Sequence, residues 1–282
     1  MIPRAFITAW RANAPWRSNA QVEQDMVISR AIVELFRHRQ IADKLFFRGG
    51  TALYKLYLTP PARYSEDIDL VQINPEPIGG TIDLIKSVID PWLGKPKRQF
   101  KEGRVNLVYR FYSEDSPPIK LRLKIEINTR EHFCVKPPAV TRFQMENPWF
   151  NGSASILSYS LDELLGTKLR ALYQRKKGRD LFDLHYSLQF GKVDKETVIE
   201  CFLQYMKEEC NTISRAQFEK NLYSKRNDPD FRIDIRPLLR SGIKWDFDEA
   251  MDAILNTFVS SIPGEPWQQR KAKSVKKAGE VE

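Results

Sequence analysis

The sequence predicts an α+β protein in which a mixed-sheet domain precedes a helical bundle. Three observations carry that expectation. Up to about residue 150, short stretches of strand period alternate with stretches of helical period, the mark of a sheet packed with helices. Past Ser160 almost every apolar stretch repeats at helical spacing. The composition, 42% hydrophobic and 29% charged over 282 residues, is that of a chain able to bury a core of its own. The domains expected are 1–155 for the sheet, 156–262 for the helical half and 263–282 for a polar, basic tail without fixed structure.

In chain order, Val22, Met26, Ile32, Val33 and Phe36 fall at helical spacing and predict a helix from Gln21 to about Arg39. Leu45 to Phe47 is a short apolar strand, and Gly49-Gly50 follows it. Thr51 to Leu58 fits a second helix, stopped by Pro60-Pro61. Ile68 to Ile73 has strand character, and Ile82 to Leu93 is a helix ended by Gly94 and Pro96. Arg104 to Tyr112 alternates, with Val105, Leu107, Tyr109 and Phe111 on one side. Lys120 to Asn128 alternates more cleanly, with Leu121, Leu123, Ile125 and Ile127 opposite Arg122, Lys124 and Glu126. Five helices are expected beyond it: Leu161 to Tyr173, Asp180 to Phe190, Lys195 to Cys210, Ser214 to Tyr223 and Phe247 to Val259.

The charge balance is basic, 45 Lys+Arg against 36 Asp+Glu for a net +9. Such a field favours nucleic acid, nucleotides or an acidic protein, or else is a solvated surface with no specific partner. No stretch has the ~18 apolar residues a membrane helix needs. The first residues are too mixed for a secretory signal, and three scattered cysteines build neither a disulfide framework nor a zinc site. The expectation is a cytoplasmic protein with no membrane partner.

Asp67 and Asp69 stand one residue apart at the start of a strand, so both carboxylates share a face. Two such groups repel unless a cation lies between them, and hard oxygen ligands suit Mg²⁺ or Mn²⁺; a DxD in a surface turn is the bland alternative. Gly49, Gly50 and Thr51 sit between strand and helix, where glycines let main-chain N–H groups approach an anion. A plain strand-to-helix turn capped by Thr51 reads equally well. Glu126 is the candidate for a third carboxylate of a two-metal site, unless it belongs to a salt-bridged strand surface with Lys124 and Arg122. Lys168, among Leu164, Leu165, Leu169 and Leu172, occupies an apolar setting. Arg179 and Asp183 have i,i+4 spacing, that of an ordinary helical ion pair.

Taken together, GGT, RYSEDIDL, the strand KIEIN and TKLRALYQRKKGRDLFDL resemble the AbiEii/AbiGii toxin family of bacterial nucleotidyltransferases, within the DNA polymerase β-like superfamily to which MenT-type toxins also belong. The likeness runs over roughly residues 30 to 190. It implies a toxin of a toxin–antitoxin or phage-defence system, acting on an NTP and an RNA, the tRNA 3′ end above all, with Mg²⁺ or Mn²⁺ and a cognate antitoxin encoded nearby. Residue by residue it implies a metal pair at Asp67 and Asp69, nucleotide contacts at Gly49, Gly50, Thr51 and Lys168, and catalytic roles for Lys168 and Asp183. Glu126 is a looser match as metal ligand and catalytic carboxylate. Three rivals stay open: nucleotidylation of a protein or small molecule, a metal-dependent nuclease, and a non-catalytic nucleic-acid-binding module. Asn128, where an ExK nuclease carries lysine, counts against the second.

Overall fold

A computed structural model describes residues 2–268. Helices α1 (Arg4–Trp10), α2 (Asn19–Arg37) and α3 (Arg39–Ala42) lead into strand β1 (Leu45–Arg48) and the short helix α4 (Gly49–Ala52), which runs on as a π-helical turn, Leu53–Tyr57. Then come β2 (Asp67–Gln72), α5 (Gly79–Leu93), β3 (Lys97–Lys101), β4 (Arg104–Tyr112), β5 (Lys120–Asn128), β6 (Ala139–Asn147) and β7 (Phe150–Ser158). The rest is helical: α6 (Leu161–Gln174), α7 (Gly178–Phe190), α8 (Lys195–Glu208), α9 (Arg215–Arg226), α10 (Pro229–Ile233) and α11 (Phe247–Thr257).

The seven strands form one mixed sheet in the order β3-β4-β5-β2-β1-β7-β6. β2 lies antiparallel to β1 and parallel to β5, which places Asp69 beside Glu126 and Asp67 beside Lys124. Period-2 alternation turns Ile68 and Leu70 into the core and the two aspartates away from it. On the apolar side α2 and α5 cover the sheet through residues such as Met26, Ile32, Ile85 and Ile89. Helix α2 starts on a capping box in which Ser18 and Gln21 each satisfy the other's main-chain N–H. A second core holds the helical half together around Leu169, Phe182, Phe202 and Phe218, and it also takes in Leu53, Tyr54, Leu58 and Ala62 from the segment before β2.

Several elements differ from expectation. The run from Thr51 to Leu58 is not one α-helix: its second half widens into the π-helical turn, which sends Tyr54 toward the helical half and Lys55 onto buried Asp25. Strands β3, β6 and β7 have no counterpart in the sequence reading, and β7 carries the sheet to Ser158, past residue 155. Pro263 to Trp267 packs on α9 instead of lying free: Arg215 N–H donates to Pro263, Trp267 N–H donates to Glu219, and the Trp267 ring lies 4.9 Å from Tyr223. The remainder of the expected tail, 269–282, lies outside the described residues.

Candidate active site

A cleft of about 260 Å³ opens where the polar side of β2 and β5 meets the start of the helical half. Gly50, Asp67, Asp69, Glu126 and Lys168 line it, together with Arg63, Arg104, Lys124, Arg175 and Arg179. Five of the residues singled out in the sequence thus line one cleft, and the register of β2 with β5 sets three of them, Asp67, Asp69 and Glu126, side by side.

Gly49 and Gly50 are required by proximity. Gly49 has φ +82°, and a Cβ there would lie 2.1 Å from Asp69 Oδ2. A Cβ on Gly50 would lie 2.5 Å from Arg63 Nη2. The chain therefore passes against the carboxylate and the guanidinium with no room for a side chain. Thr51 is buried and does not reach the cleft; its hydroxyl donates to the main-chain carbonyl of Asp67 and stands 2.9 Å from Ser65 Oγ. It fixes the strand that carries the aspartates.

Burial raises the pKa of both aspartates. For Asp69 the neighbouring Glu126 adds to the effect, against the pull of Arg48, Lys124 and Lys168. For Asp67, Lys124 works in the opposite direction, its ammonium 2.7 Å from Asp67 Oδ2 and 3.4 Å from Glu126 Oε2. Asp67 Oδ1 is buried and accepts no hydrogen bond. A carboxylate oxygen left bare beside two more carboxylates suits a divalent cation. Among the described residues, though, no three His, Cys, Asp or Glu side chains close into a metal-holding group; the cation among these carboxylates is Lys124.

Below the cleft lies a buried ionic layer that corrects two expectations. Lys168 is not in apolar surroundings: its Nζ is 2.9 Å from Asp183 and 3.3 Å from Asp180, both reaching it from α7. Asp183 does not pair with Arg179. Fully buried, it receives two 2.6 Å hydrogen bonds from Arg63 and one of 3.0 Å from the Tyr54 hydroxyl. Burial alone would push Asp183 up, but Arg63 and Lys168 overcome it and hold it well below the ordinary carboxylate range. Asp180 is lowered against its burial by Lys168 and by Arg175, which it binds through both oxygens. Arg63, Lys124, Arg104 and Asp180 escaped the sequence reading as site residues. Lys124, two before Glu126 on the same strand face, and Asp180, within the run GRDLFDL, did carry a signal.

Residues 30–253 match the family described as the nucleotidyl transferase AbiEii toxin of type IV toxin–antitoxin systems. The chain belongs to this family. In fold it is similar to MenT4, a nucleotidyltransferase toxin of Mycobacterium tuberculosis H37Rv, at 18% identity and TM-score 0.70 over 93% of this chain and 91% of that one. It is also similar to a candidate nucleotidyltransferase from H. pylori, at 21% identity and TM-score 0.53 over 85% of this chain and 93% of that one. No curated protein matches the sequence. No helix among the described residues is long and apolar enough to cross a membrane.

Proposed function

We propose that this toxin-family nucleotidyltransferase moves a nucleotidyl group from an NTP to the 3′ hydroxyl of an RNA, tRNA first among candidates, and that an antitoxin encoded nearby opposes it. The observation that carries the reading is the convergence on one cleft of three carboxylates from β2 and β5, Asp67, Asp69 and Glu126, with Lys168, Arg175 and Arg179 from the start of the helical half. In the transfer, the hydroxyl oxygen bonds to the α-phosphorus while the bond from that phosphorus to the bridging oxygen of the β-phosphate breaks, and pyrophosphate leaves.

Asp67, with its bare Oδ1, and Asp69 would hold a divalent cation, which when bound would supply Lewis-acid neutralisation of phosphate charge. Glu126 takes the proton of the hydroxyl on a carboxylate oxygen. Lys168 and Arg179 donate to oxygens of the departing pyrophosphate, where negative charge grows. Gly50 lets the main chain come close to the triphosphate. Thr51, Asp180 and Asp183 touch no substrate; they are positioning residues for Asp67, Arg175 and Lys168 respectively.

Purified protein incubated with Mg²⁺, each labelled NTP in turn and total tRNA should place label on the RNA 3′ end. Asp67→Asn or Asp69→Asn, which remove a charge at equal volume, should cut transfer at least ~100-fold while the melting temperature holds or rises, because each relieves carboxylate repulsion. Label on a lysate protein instead of RNA would overturn the acceptor. Full transfer by either variant would overturn the site.

A further inference from the structure

The basic loop between α6 and α7 is the obvious place to seek the acceptor's phosphates, yet its charge is already matched. Arg175 binds Asp180, Lys176 Nζ lies 2.8 Å from Asp228, and Lys177 Nζ lies 3.5 Å from Asp234. The tail cations Arg270, Lys271, Lys273, Lys276 and Lys277 lie outside the described residues.

Unmatched positive charge stands on the other side of the cleft. Strand register aligns Gln99 with Asn106 and Asn106 with Glu126, and likewise Lys97 with Val108 and Val108 with Lys124. Arg110 faces Arg122, and Tyr112 faces Lys120. All of these therefore share the sheet face that carries the catalytic carboxylates, since Leu107, Tyr109, Leu123 and Ile125 fill the core behind. Lys97, Lys101, Arg110 and Lys120 are exposed, and among the described residues none has a carboxylate within ion-pair reach. Arg104 and Arg122 each hold a single carboxylate and stay about half exposed, at 53% and 52%. Arg110 and Arg122 are like charges directly opposite across a strand pair, an arrangement that destabilises a sheet unless something negative covers it. Tyr112, 61% exposed, offers a ring on the same face.

From Glu126 this face reaches six residues along β5 to Lys120, roughly 20 Å, and two strand spacings across to β3, roughly 10 Å. Resting on the RNA-acceptor reading above, we infer that the open face of β3, β4 and β5 is the docking surface for the acceptor's phosphate backbone, which lies on the sheet with its 3′ end at Glu126. Arg110, Lys120, Lys97 and Lys101 hold phosphates, and Tyr112 stacks on a base. Charge complementarity and continuity with the carboxylates single out RNA; an acidic protein is the competing occupant.

Binding of 5′-labelled tRNA to the full chain, without NTP and over a salt series, tests this. Arg110→Gln/Lys120→Gln and Lys97→Gln/Lys101→Gln should each weaken binding about tenfold and flatten the slope of log affinity against log salt by about 1.4, at ~0.7 per lost phosphate contact. The NTP-induced melting shift should stay as in the parent, and Arg110→Gln should hold or raise the melting temperature. Lys176→Gln/Lys177→Gln should leave the slope unchanged. Parental RNA affinity and slope in both sheet-face variants, with the parent still extending RNA, would overturn the surface alone, as would sheet-face variants that lose only an acidic protein partner. A parent that binds no RNA and labels protein would overturn the acceptor reading and this surface together.

Discussion

Asp183 illustrates what a sequence conceals at the level of single residues. Its motif was visible, but its partners Arg63 and Tyr54 lie 120 and 129 positions away, and no spacing rule reaches that far. Lys168 misled for a related reason. Its neighbours on its own helix are leucines, while the charges that meet it come from α7. Asp67, Asp69 and Glu126 were legible because alternation within one strand is local. Asp183→Asn should cost about 3 kcal/mol, since it leaves Arg63 and Lys168 buried against a neutral amide. Asp183 is depressed in the fold, so its contribution is complete above the unfolded carboxylate's pKa, about 3.9, and is lost as pH falls toward the folded value. The melting-temperature gap between parent and variant should therefore be level from about pH 8 to about pH 5 and close in stronger acid. A gap that instead widened below about pH 4 would contradict the pairing.

Among the elements, alternating and amphipathic segments such as β4, β5 and α6 to α8 were readable because one face of each is apolar. β3 was not, being short, basic and largely exposed at the sheet edge, and β6 mixes the polar Thr141 and Asn147 into its inward face while Val140 points outward. The junction of β1 and α4 carries the main chain hard against two residues that line the cleft, Asp69 and Arg63. Its left-handed residue, Gly49, sits against Asp69. Gly49→Ala combines left-handed strain of about 1–2 kcal/mol with displacement of that carboxylate. Transfer should fall more than ~10-fold for a melting loss of only a few degrees. A variant with parental transfer and parental stability would show that the approach is looser than the distances indicate.

For the molecule as a whole, the sequence divided the chain at about residue 155, whereas the two cores share it differently. Leu53, Tyr54, Leu58 and Ala62 leave the sheet half, enter the helical core, and the chain returns to form β2. Arg170 adds a second tie through Glu131, 2.8 Å away. Such linkages were illegible because they depend on contacts distant in sequence. Scanning calorimetry should accordingly record one transition for the full chain, with calorimetric and van't Hoff enthalpies in agreement. Two resolved peaks would mean that the halves are energetically separate.

That excursion between Gly50 and Asp67 also bears on inheritance. A gene break after the last strand would give one product an exposed apolar flap and the other a core with a missing wall. Neither fragment could pass to another protein as a ready-made catalytic cassette. Lineages that exchange parts of this toxin would have to trade it nearly whole, and diversity should accumulate at exposed positions away from the cleft and the docking face sooner than through shuffled halves.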